Sequence, residues 1–196
     1  MASLSDYYRD LLVWENIPHT ELVHAWDTAL ITKIEKEIRI SIQSNSVIGL
    51  KCPIKEGSTN QSIGNQVEDH AIPIVAQGMG LFVLSKCSGS GYPDRLLTEL
   101  SSKLRIPLEV KATSDWNPND SNRRVLTSSS EKIRSQFTKP IYHLLFTLLY
   151  RIETGFAVIE HIRLDFLEPT TPVSVRLEAS VNHKILSHGT HTSFVI

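Results

Sequence analysis

Gly91-Tyr92-Pro93-Asp94 and Ile106-Pro107-Leu108-Glu109-Val110-Lys111 decide how this 196-residue chain reads. Pro93-Asp94 is its only Pro-Asp pair, Glu109-x-Lys111 is its only acidic-x-Lys triplet, and the two carboxylates stand 15 residues apart. That separation suits a hairpin, with Arg95–Leu100 and Arg105–Thr113 as strands and Ser101-Ser102-Lys103 as the turn. Side chains alternate faces along a strand. Ile106, Leu108, Val110 and Ala112 therefore share one face, fit to pack on a helix, while Glu109, Lys111 and Thr113 share the other. Asp94 comes from the neighbouring strand or the turn before it. Two carboxylates converging on one point suit Mg²⁺, which takes hard oxygen ligands and keeps several waters. A lysine beside them can steady an attacking water and the charge on a phosphate, the parts that metal-assisted phosphodiester hydrolysis needs.

Working outward, Ser62–Ile72 reads as a helix striped by Ile63, Val67 and Ala71 and limited by Pro73. Leu81–Leu84 reads as a short buried strand. Upstream, residues 4–15 suggest a short helix. Leu22, Trp26, Leu30, Ile34 and Ile38 recur every four residues, predicting an amphipathic helix over about Glu21–Ile40 with Thr20 as its cap. The Lys33, Glu35, Lys36 and Glu37 mixture reads as a solvated face. Residues 43–61 are polar loop or short strands. Downstream, Ser114–Arg124 is a polar loop and Ser129–Phe137 a helix. Lys139-Pro140 suits the start of another, running to about Glu153. Phe156–Leu167 is a long strand, and Val173–Ile196 alternates enough for two or three more. The expected class is α/β or α+β, with a mixed central β-sheet flanked by helices.

The Pro-Asp…Glu-x-Lys pattern, with its order of helix, strand, strand with Asp, strand with Glu-x-Lys, helix and strand, resembles the PD-(D/E)xK nuclease superfamily. At this length it is most similar to type II restriction endonucleases. The resemblance covers roughly residues 62–167. It implies a restriction-endonuclease-like core in a single domain: 1–61 an N-terminal helical and loop region, 62–167 the catalytic core, 168–196 C-terminal strands. It implies that Asp94 and Glu109 bind Mg²⁺, that the Val110 carbonyl is a further ligand, and that Lys111 is the catalytic lysine. Glu68 matches the acidic residue many members carry on the helix before the first strand. The implied activity is sequence-specific cleavage of double-stranded DNA to 5′-phosphate and 3′-hydroxyl ends. A companion DNA methyltransferase and a prokaryotic, cytoplasmic setting follow from the same resemblance.

Composition constrains the rest. Twenty Lys and Arg against 21 Asp and Glu give a formal charge of −1, so any DNA contact must rest on local positive charge. Two cysteines, Cys52 and Cys87, are too few for a disulfide framework or a structural zinc site, which suits a reducing compartment. No stretch is apolar and long enough to span a membrane. Asn117, Asn119, Asn122, Arg123 and Arg124 are types that read base edges. Ser129, Lys132 and Arg134 sit at a capped helix start of the kind that holds phosphates. His183, His188 and His191 lack cysteine or carboxylate companions at metal-site spacing. Cutting both strands needs two sites, so a C₂ homodimer on a palindromic DNA site is expected. The helix over Glu21–Ile40 or the C-terminal strands are candidate dimer surfaces. Two other readings stay open: a repair or structure-specific nuclease of the same superfamily, and a non-catalytic DNA-binding or interaction domain whose triad is a surface salt bridge.

Overall fold

Leu144-Leu145-Phe146-Thr147-Leu148-Leu149-Tyr150 is apolar at both odd and even positions. Such a run suits a strand covered on both faces, and it forms the middle of the sheet rather than the helix predicted there. The structure is a computed structural model that describes residues 2–6, 23–88, 92–115, 141–173, 175–176, 180–181 and 192–196. Its elements are β1 (Ala2–Ser3), α1 (Thr28–Ser44), β2 (Lys51–Pro53), α2 (Asn60–Gln77), β3 (Phe82–Lys86), β4 (Arg95–Glu99), β5 (Arg105–Thr113), β6 (His143–Glu153), β7 (Phe156–Leu167), β8 (Pro172–Val173), β9 (Val175–Arg176), β10 (Ser180–Val181) and β11 (Thr192–Val195).

The main sheet runs β11-β7-β6-β5-β4-β3, with β2 also beside β7. Every pairing is antiparallel except β5–β6, so the sheet is mixed. β6 and β7 turn back through Gly155 at φ 79°, a left-handed conformation that glycine adopts without a Cβ penalty. The short pairs β1–β8 and β9–β10 stand apart from this sheet. Among the described residues no helix is long and apolar enough to cross a membrane.

The alternation proposed for β5 holds. Ile106, Leu108 and Val110 are buried in the core with Ile34 and Ile38 of α1 and Ile63, Val67 and Ala71 of α2. The helices differ from expectation at their ends. α1 starts at Thr28, because the Asp27 side chain accepts the amides of Ala29 (2.8 Å) and Leu30 (3.0 Å). The apolar stripe continues back through Trp26 and Val23, but those residues pack from extended chain. α2 passes through Pro73 to Gln77 rather than ending there. β3 is an edge strand and half exposed, with Val83 at 48 %, not a buried one.

Nor is the charged face of α1 simply solvated. Glu37 is buried and accepts the amides of Gly80 and Leu81, while Lys33 bridges to Glu99 at the far end of β4. These contacts tie α1 to both strands of the β3–β4 hairpin. Of the helix expected over residues 4–15, only 4–6 are described, and they are helical. The expected loop and helix across 116–140, and His183, His188 and His191, lie outside the described residues.

Candidate active site

The β4–β5 ladder stops at the pair Arg95–Leu108, while β5 continues for five more residues to Thr113. In an antiparallel pair the groups facing the partner strand belong to alternate residues. Beyond the last pair, the amides of Val110 and Ala112 on that edge have no strand to bond. Two carboxylates replace it. Asp94 Oδ2 accepts the Val110 amide at 3.1 Å, and Glu68 Oε1 accepts the Ala112 amide at 3.0 Å. The gap left by the strand's early end therefore draws acidic side chains from two different elements to one edge of β5.

Each carboxylate arrives for a local reason. Asp94 sits just before β4, after the cis Tyr92–Pro93 peptide. Tyr92 is buried and its hydroxyl lies 2.7 Å from His143 Nδ1, which ties the segment to the start of β6. Burial pushes the His143 imidazole down to about 3, so it is neutral at working pH. Glu68 is brought in by α2. A Cβ at Gly64 would come within 3.1 Å of the Ala112 carbonyl oxygen, so only glycine lets the helix lie this close to β5 without a shift. Glu68 follows one turn later on the same helix face.

Glu109 and Lys111 project from β5 itself, two residues apart. Lys111 Nζ is 3.2 Å from Glu109 Oε1. The Glu109 side chain is only 3 % exposed and that of Lys111 30 % exposed. Glu109 Oε2 is buried and has no hydrogen-bond partner among the described residues. Burial, with the negative charges of Asp94 and Glu68 added, pushes the Glu109 carboxyl up to about 8 against the opposing pull of Lys111. Burial likewise pushes Glu68 up to about 7, with Asp94 adding to the rise and Lys111 opposing it. Burial alone would lower the Lys111 ammonium, but the carboxylates of Glu109, Glu68 and Asp94 outweigh it and hold the proton more tightly.

The structure thus brings Asp94, Glu109, Lys111 and Glu68 together at one edge, with Val110 beside them. A cleft of about 240 Å³ is lined by Glu68, Asp94, Val110, Lys86 and Arg95, among others. A smaller one of about 90 Å³ carries Glu68, Lys111 and Tyr150 on its wall. Asn117, Asn119, Asn122, Arg123, Arg124, Ser129, Lys132 and Arg134 lie outside the described residues.

Among the described residues, no three His, Cys, Asp or Glu side chains close on one point at metal-binding distance. Two carboxylates do not reach that count, and they meet a need of Mg²⁺, which completes its shell with waters. Asp94 and Glu68 each spend one oxygen on a β5 amide, and the buried Glu109 Oε2 lacks a donor. Asp94 and Glu109 are the two carboxylates that would hold an oxygen-seeking divalent cation, with waters completing its shell. Sequence reading missed Tyr92, His143, Lys86 and Arg95. The Arg immediately after the Pro-Asp pair was the one visible signal among them.

Comparison with known protein families, with characterised proteins and with solved structures finds no match.

Proposed function

We propose that the chain is a Mg²⁺-dependent endonuclease that hydrolyses phosphodiester bonds in double-stranded DNA, in the manner of a type II restriction enzyme. The observation that carries this reading is the state of Glu109. A surface salt bridge between Lys111 and Glu109 would be solvated and worth little. Here the carboxylate is 3 % exposed, one oxygen is paired and the other is not. Burying such a group costs free energy unless something compensates it. Without a metal the proton held by the raised carboxyl supplies it; a cation held by Glu109 and Asp94 would take the proton's place.

In this reading Asp94 and Glu109 would hold the ion, and the Val110 carbonyl would offer a further oxygen. When bound, Mg²⁺ supplies Lewis acidity toward water and toward the phosphate oxygens. The Lys111 ammonium, kept charged by its acidic neighbours, orients the attacking water and faces the charge that builds on the phosphate. Glu68 acts through the backbone, holding the Ala112 amide and with it the strand that carries Glu109 and Lys111. Water adds at phosphorus, the 3′-oxygen leaves and is protonated, and the ends are 5′-phosphate and 3′-hydroxyl. One site per chain implies a homodimer on a palindromic site, and a companion methyltransferase to spare the host DNA.

The test is digestion of long, mixed-sequence, unmethylated DNA with Mg²⁺ and with EDTA. Discrete bands in Mg²⁺ alone support the restriction-type reading. A smear, or preferential cutting of branched DNA run alongside, moves it to a repair-type nuclease of the same superfamily. Intact DNA throughout, with several DNA sources tried, leaves a non-catalytic interaction domain.

A further inference from the structure

Two cations face each other where the β3–β4 ladder ends. Lys86 and Arg95 are direct partners in the antiparallel register, and Arg95 follows Asp94 in the chain. Directly opposed side chains lie ~5 Å apart at Cβ, and like charges there destabilise a sheet. The surroundings relieve this only in part. The Asp69 carboxylate on α2 is 3.5 Å from Lys86, but the two side chains are 68 % and 70 % exposed, so the pair is weak. Arg95 gives one N–H to the Asp94 carbonyl at 3.2 Å. No other hydrogen bond to a described residue takes its remaining donors, while its charge also acts on the Glu68 carboxylate in the same cleft wall.

Both cations also line two hollows. The cleft of about 240 Å³ has Asp94 and Val110 in its wall. The next, about 330 Å³, carries Ile72, Pro73 and Leu84 together with Lys86 and Arg95. The two hollows share Lys86, Arg95 and Asp69, so the two cations stand where they adjoin, next to Asp94.

We propose that Lys86 and Arg95 clamp a backbone phosphate of the DNA strand, adjacent to the phosphate presented to Asp94 and Glu109. The proposal rests on the nuclease reading and deepens it by naming a positioning site outside the chemistry. A phosphate between the two cations removes their mutual repulsion, and the planar guanidinium of Arg95 offers it paired donors. Asp69 restrains Lys86 when DNA is absent and gives it up when the phosphate arrives. At a net charge of −1, affinity for DNA must come from such local cations.

The experiment measures binding of a fluorescent mixed-sequence duplex by anisotropy, in Ca²⁺ to suppress cleavage, across a salt series. Non-specific binding reports phosphate contacts, so the recognition sequence need not be known. Lys86→Ala and Arg95→Ala should each weaken binding on any sequence and reduce the slope of log affinity against log salt by ~1. Arg95→Lys should keep the slope, and thermal melts verify that each variant is folded. Asp69→Asn discriminates further. A phosphate clamp predicts tighter binding, because a repulsive carboxylate is gone. A merely structural ion pair predicts that Asp69→Asn and Lys86→Ala weaken binding together. Unchanged slopes in both alanine variants, or that joint weakening, overturn the clamp while wild-type cleavage leaves the nuclease reading standing. Wild type that neither binds nor cuts DNA overturns both.

Discussion

Replacing Glu109 with Gln should stabilise the metal-free protein at mildly alkaline pH. The Glu109 carboxyl is raised from 4.5 to about 8 by burial, with Asp94 and Glu68 adding to the rise. A raised carboxyl favours the neutral form in the fold. Its contribution is fully present below the unfolded value and is lost as pH rises through about 8. His143, lowered to about 3 by burial, acts in the opposite direction, because stability falls as pH drops below the unfolded imidazole value of ~6.5. The window free of His143 therefore lies above pH ~6.5 and below the thiol range, since burial raises Cys52 to about 11; Glu68, raised to about 7, adds to the fall at the lower end of that window in wild type and variant alike. Between pH ~6.5 and ~8, at ~1.4 kcal/mol per unit, ionising Glu109 costs about 2 kcal/mol. For a chain of this size that is a fall in Tm of roughly 4–8 °C. Melts of metal-free wild type should show this slope, and Glu109→Gln should be markedly flatter. Millimolar Mg²⁺ should restore the wild type at pH ~8 and not the variant, because ions that bind the native state stabilise it. Parallel curves for the two proteins, with or without Mg²⁺, would show that Glu109 is ionised and satisfied without a cation, and the reasoning would fail.

Other outcomes follow from the same geometry. Asp94→Asn keeps an oxygen for the Val110 amide but loses the charge. It should melt near wild type while its Mg²⁺-dependent cleavage drops ~100-fold or more, read by single-turnover rates. Gly64→Val should lift α2 from β5, given the 3.1 Å approach of even a bare Cβ to the Ala112 carbonyl. The expected result is a loss of ~1–3 kcal/mol in denaturant titration and reduced cleavage, as Glu68 leaves the Ala112 amide. Tyr92→Phe removes the 2.7 Å contact to His143 and should cost about 1–2 kcal/mol in the same titration.

The hairpin that carries the site was legible because its information is local. Alternation in Ile106–Thr113 and turn chemistry at 101–103 place β4 and β5 at Arg95–Glu99 and Arg105–Thr113. β7, with its Gly155 turn, was legible for the same reason. β6 was not. A strand buried on both faces loses its alternation, and Lys139-Pro140 before it imitates a helix start. The start of α1 was misplaced because the apolar stripe runs past the Asp27 cap into chain that packs without being helical. Glu37 and Lys33 looked solvated because their partners, Gly80, Leu81 and Glu99, lie more than 40 residues away in the sequence. At the site, residue types and faces were readable. The replacement of a missing strand by Asp94 and Glu68, and the opposition of Lys86 to Arg95, depend on where the β4 pairing stops, which is a tertiary fact.

The most direct measurement of the central claim is the single-turnover rate of DNA cleavage for wild type in Mg²⁺, wild type in EDTA, and Lys111→Ala in Mg²⁺. Wild type should cut in Mg²⁺ and not in EDTA, and a folded Lys111→Ala should lose ~100-fold or more, the scale expected when a group that orients or activates water is removed. Cleavage that survives EDTA, or a folded Lys111→Ala that cuts as fast as wild type, would contradict that claim.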